Sequence, residues 1–149
     1  MPIFERLMPG DSRPPEAIDS AFAFAAGGRR TSALRTSAWA AYRAALEASA
    51  PAAVDAAHAA TQAAAAAVFL HPLARATQVR HVLGSAAYAA RAAEIDAGDD
   101  LSVGAAGVDW ALQHAPATVV AVLRRFPDAP NGGGRVGELI RVLDAALRQ

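Results

Sequence analysis

Apolar residues recur every three to four positions along most of this chain, and no segment alternates with the two-residue period of a strand, so the pattern predicts an all-α fold. The first clear helix opens at Asp11-Ser12-Arg13-Pro14-Pro15-Glu16, which combines capping side chains, early prolines and a first-turn acid. Its Ile18, Phe22 and Ala25 fall at i, i+4 and i+7, and Gly27-Gly28 permit a left-handed stop. A second helix starts from Thr31 or Ser32 and runs to about Ser49, carrying Leu34, Trp39, Tyr42 and Leu46. Pro51 opens a third, to about Leu70, and Pro72 a fourth, to about Asp96, where Gly98 ends it. Shorter helices follow over 105–114 and 116–126, and Val136, Leu139, Ile140, Leu143 and Leu147 form the apolar stripe of a last one over 136–147. Residues 127–135, rich in Pro and Gly, read as a loop. In residues 1–10, Ile3, Phe4 and Leu7 suit the end of a helix packed on the body. The expectation is one helical domain over residues 1–149: a bundle of about six to seven helices around two long, antiparallel, alanine-rich ones.

Alanine supplies more than half of the 54% of residues that are hydrophobic. It favours helix everywhere, but each buried alanine removes little apolar surface from water. Packing then depends on close backbones plus a few large anchors, for which the sequence offers Phe22, Phe24, Trp39, Tyr42, Phe69, Leu70, Leu73, Leu83, Trp110, Leu123, Phe126, Leu139 and Leu143. Trp39 and Trp110 are read as core.

Fourteen basic residues, all Arg, balance fourteen acidic ones. With no basic run or basic face of the kind phosphate binding needs, nucleic acid is not an expected partner. The 149 residues contain no Cys, which excludes disulfide and thiolate chemistry. The N-terminus lacks the pattern of a signal peptide, and the apolar run 63–70 is too short to span a bilayer, so a cytoplasmic location without membrane insertion is expected.

The fourth helix carries the most informative polar pattern. Gln78, His81, Ser85 and Tyr88 share one face, with His71 and Arg75 leading into it and Val79, Leu83, Ala87 and Ala90 roughly opposite. Such a stripe either lines a groove, where imidazole and phenol bind a partner or move a proton, or is the solvated side of an amphipathic helix. His71 and His81 do not share a face and cannot chelate as an i, i+4 pair, so no metal site is assigned. Glu94, Asp96, Asp99 and Asp100 read as a solvated helix end with capping Asp, and Asn131–Arg135 as a flexible connector rather than an anion loop. No nucleophile–base–acid set or paired-carboxylate spacing is present. No cofactor is expected.

The run Asp11-Ser12-Arg13-Pro14-Pro15-Glu16-Ala17-Ile18, the Gly27 stop, Ala56-Ala57-His58 and His81-Val82-Leu83-Gly84-Ser85-Ala86-Ala87-Tyr88-Ala89 occur in an order that resembles the alanine-rich, all-helical immunity proteins of bacterial polymorphic-toxin systems. The resemblance covers about residues 4–93, with a weaker echo at 137–147. Family members carry a helix before the position of Phe4, and many have a further histidine where this chain reads Thr77-Gln78. The resemblance implies a cytoplasmic, non-catalytic protein that binds and blocks a cognate toxin, with Arg13, His58, His81 and Tyr88 at matching positions. Together with the polar face, the candidate binding residues are Arg13, His58, His71, Arg75, Gln78, His81, Ser85 and Tyr88. The alternative is a small enzyme or ligand-binding module with a pocket near His58, His81 and Tyr88. A third reading is one half of a homodimer that covers an exposed apolar face.

Overall fold

The computed structural model describes residues 2–69 and 77–149, and among them it contains eight α-helices and no strand. They are α1 (Ile3–Leu7), α2 (Arg13–Ala25), α3 (Ser32–Glu47), α4 (Pro51–Phe69), α5 (Gln78–Asp96), α6 (Leu101–His114), α7 (Ala117–Leu123) and α8 (Gly134–Leu147). The count exceeds the expected six to seven because Ile3–Leu7 is a helix in its own right, seated by the buried Phe4. The expected Leu70 and Leu73 anchors and the start of the fourth helix lie outside the described residues.

Local chemistry sets the boundaries. At the start of α2 the capping acceptor is Asp11, whose Oδ1 takes the Arg13 backbone N–H at 3.1 Å. Gly27 ends the same helix with φ +97°, a conformation costly for any residue with a Cβ. α6 begins a turn earlier than expected because Asp100 Oδ1 accepts from both the backbone N–H (2.9 Å) and the hydroxyl (2.7 Å) of Ser102. α8 likewise starts early, at Gly134, after Gly133 in the left-handed region.

α4 and α5 pack along their length at the centre. α3 and α2 cover α4 on one side, while α6 and α8 cover α5 on the other. The two flanks are built differently. On the α2–α3–α4 side the contact surface is small: Ala17, Ala38, Ala41, Ala60 and Ala64, all nearly inaccessible, with Leu34 and Val68. Without side-chain bulk the backbones approach closely, and dispersion contacts replace the burial of large side chains. On the α5–α8 side Val79, Leu83, Val108, Leu123, Phe126, Leu139, Ile140 and Leu143 form a conventional core, each Leu contributing about 1.5–3 kcal/mol of transfer free energy.

This division overturns part of the expected anchor set. Leu83, Leu123, Phe126, Leu139 and Leu143 are buried, but Phe22, Trp39, Tyr42, Phe69 and Trp110 are exposed. Where alanine makes the interface, the bulky side chains of the same helices are left on the outside.

At the acidic helix end Asp96, Asp99 and Asp100 are exposed and Asp100 caps α6, as expected, but Glu94 is not part of the solvated turn. Glu94 is fully buried and meets Arg135 of α8 (Nη2 to Oε1, 2.6 Å) and Arg91 (Nη1 to Oε2, 3.0 Å), clamping α8 onto α5. Arg91 also reaches Asp99, and Asp96 pairs with Arg6 of α1. Within the connector, Arg141 donates to the carbonyls of Pro130 (3.2 Å) and Gly132 (2.7 Å), which fixes its course. Among the described residues no helix is long and apolar enough to cross a membrane.

Candidate functional site: an aromatic and imidazole face across three helices

The outer surface of α3 follows from its inner one. Leu34, Ala38, Ala41 and Ala45 turn to α4, so at about 100° per residue Arg35, Trp39, Tyr42, Arg43 and Leu46 turn to solvent. Trp39 is 54% exposed and Leu46 65%. From Trp39 a ladder of rings crosses the molecule. Tyr42 meets Trp39 edge-on (centroids 5.7 Å apart), His58 of α4 lies 5.8 Å from Tyr42, and Tyr88 of α5 lies 5.1 Å from His58. Beside it, Phe69 of α4 lies 6.2 Å from His81 of α5, with the Arg35 guanidinium 6.0 Å above the Phe69 ring.

Between the ladder and Phe69 is a cavity of about 200 Å³, walled by Trp39, Tyr42, Gln62, Phe69 and His81 and floored by Ala38, Thr61 and Ala65. His81 Nδ1 and Gln62 Oε1 are 3.2 Å apart, a hydrogen bond that fixes the imidazole in the α4–α5 seam. Gly84 makes room for this arrangement, since a Cβ there would stand 3.0 Å from Gln62 Cγ.

The polar stripe of α5 is therefore turned onto α4 rather than into solvent. Gln78 is buried, and His81, Ser85 and Tyr88 are half-buried. They diverge within the seam. His81 enters the 200 Å³ cavity. Ser85 borders an apolar groove of about 430 Å³ on the α1–α2 side, and Tyr88 reaches a cleft of about 80 Å³ against Arg80 and Asn131–Gly133. Arg13 lies apart from the ladder, bound by Asp11 (2.7 Å) and Glu47 (2.5 Å), which tie the start of α2 to the end of α3. His71 and Arg75 lie outside the described residues.

Burial holds the protonation of both histidines below the usual value. For His58 the desolvation is opposed by nearby Asp55; for His81 it is reinforced by Arg80. Desolvation pushes the Asp55 carboxyl up, with His58 and Arg91 pulling the other way. Among the described residues no hydrogen bond joins Asp55 to His58 or His58 to Tyr88. Nor does any group of three or more His, Asp or Glu there converge as metal ligands. Half-buried imidazoles against aromatic rings, beside an exposed Trp, make a surface suited to contact.

A family model described as Imm-5 like putative immunity protein matches residues 1–118. The chain belongs to this immunity protein family. The matched residues contain the whole ladder and all of α1 to α6, whereas α8 and its Arg135 clamp lie beyond them. No curated protein and no solved structure matches the chain.

Trp39, Tyr42, Gln62 and Phe69 of this immunity-family chain are absent from the set of binding residues drawn from sequence. Their signal was available in the alanines at 38, 41 and 45, which mark the buried side of α3 and so put Trp39 and Tyr42 on the other.

Proposed function

We propose that this immunity-family protein neutralises a cognate toxin by direct binding, seating the α3–α4–α5 face over the toxin's working surface without chemistry of its own. The exposure of Trp39 next to Tyr42 and Phe69, at the mouth of a preformed cavity, carries this reading. Trp, Tyr and Arg dominate the energetics of protein interfaces, and here they are presented on helices already held rigid by alanine packing, so little order is lost on docking. His58, His81 and Tyr88 support the exposed rings from beneath, and a standard interface of about 800 Å² per partner would extend past the ladder on all sides. The compartment this implies is the cytoplasm of the cell that makes the toxin.

The test is co-expression with the candidate toxin domain sought beside the gene. Restored growth together with a co-purifying complex is the expected result. Growth arrest with no complex contradicts the proposal.

A further inference from the structure

Arg6, Arg13, Arg91, Arg135 and Arg148 each hold a carboxylate within the fold. The other described arginines do not, and three of them stand around the aromatic face. Arg30 donates to the Val68 carbonyl and Arg35 lies over Phe69, while Arg43 stands on the exposed side of α3 near Trp39 and Tyr42. Among the described residues none of these three forms an ion pair. The nearest acid to Arg43 along α3 is Glu47, which is already engaged by Arg13. Among the described carboxylates without an ion pair, Glu5 and Asp19 border the α1–α2 groove, Glu16 takes only the Ser12 hydroxyl, and Asp55 is half-buried beside His58.

We infer that the surface this face receives is an acidic patch of a folded protein, its carboxylates meeting Arg35 and Arg43 on either side of Trp39. The inference rests on the proposed function and adds the chemistry of the partner. Arg35 and Arg43 flank an exposed indole, and Glu47, the one acid on α3, is already bound by Arg13, so the outer side of this helix is positively charged. Guanidinium groups suit an acidic partner because they can bind carboxylates in bidentate fashion while lying on aromatic rings. Leu46 and the half-buried imidazoles, whose protonation burial disfavours, extend the face with largely apolar surface. That favours a protein over a phosphate backbone, for which the two or three cations here would supply little counterion release. Charge complementarity of this kind acts mainly on the rate of encounter and on the choice of partner.

The experiment measures association of the intact chain with the candidate toxin domain sought beside its gene, at about 50 mM and about 300 mM salt. Arg35→Glu/Arg43→Glu is compared with Arg124→Glu/Arg125→Glu, which makes the same change in net charge at the end of α7. Arg35→Gln/Arg43→Gln, checked for unchanged helical circular dichroism, removes the charge without reversing it. The inference expects association to slow about tenfold or more at the higher salt and in the α3 charge reversal, with a smaller loss in the Gln pair and little in the α7 control. A complex that forms equally well in all variants and at both salts overturns the inference while leaving the binding reading intact. No complex with the unaltered chain overturns both. Displacement of the toxin by a labelled single-stranded oligonucleotide, lost in the α3 variants, would assign the face to nucleic acid and also overturn the inference.

Discussion

The imidazole of His58 lies against the phenol ring of Tyr88 with centroids 5.1 Å apart and planes tilted by 38°. This contact joins α4 to α5 at the centre of the molecule and carries the ring ladder from α3 across the seam. Small residues allow it, because Ala57 and Ala87 beside the two rings are fully buried and bring the helices close.

Removing either ring loses packing as well as the ring–ring term. Tyr88→Ala is expected to destabilise the fold by about 1–3 kcal/mol, and the double change with His58→Ala to cost less than the sum, with a coupling of about 0.5–1.5 kcal/mol. Urea denaturation of the four members of the cycle measures it.

Stability should fall on mild acidification. His58 and His81 protonate less readily in the folded chain than in the unfolded one, chiefly because they are desolvated. As the pH drops through about 6.5 the unfolded state takes up protons first, so the folded state loses ground until its own, lower values are passed. Asp55 has the opposite sign: its raised value favours the folded state as the pH falls through the carboxylate range. Denaturation midpoints at pH 7.5 and 5.5 are expected to differ, and the difference should shrink in His58→Gln/His81→Gln. Equal slopes in both proteins would contradict the assignment.

Gly104 of α6 stands where a methyl group would collide with the buried Glu94 carboxylate and its Cγ. Gly104→Ala should therefore cost about 2 kcal/mol or more through overpacking and disturbance of the Arg135 clamp. In a Glu94→Ala background the clash is gone, and the same change should gain up to about 1 kcal/mol from helix propensity. The reversal of sign, read from denaturation midpoints, separates a steric cause from a loss of backbone freedom.

Much of this architecture was legible in the chain itself. Pro51, Gly27 and Gly98 mark helix ends by covalent geometry, and the stripe from Leu139 to Leu147 marks α8 by its period. Two features were not. Trp39 and Phe22 look like core residues by size, but in an alanine-built interface size predicts exclusion, and only the relative phase of small and large residues reveals it. Glu94 looks like part of a solvated acidic cluster because its partner Arg135 lies 41 residues further on, beyond any local pattern. At the site, the sequence singled out the imidazoles and Tyr88 on chemical grounds. The ring partners that join them to the surface depend on how three helices align.

The most direct test is the affinity of the proposed toxin partner, sought as a toxin domain encoded beside the gene, for Trp39→Ala, measured by calorimetry against the unaltered chain. Trp39 is exposed, so truncation should shift folding stability by no more than about 0.5 kcal/mol, whereas a residue at the centre of the interface should lose at least tenfold in affinity. Weakened binding at unchanged stability is the predicted result. Unchanged affinity in a correctly folded Trp39→Ala protein would show that the toxin is held somewhere other than the α3–α4–α5 face.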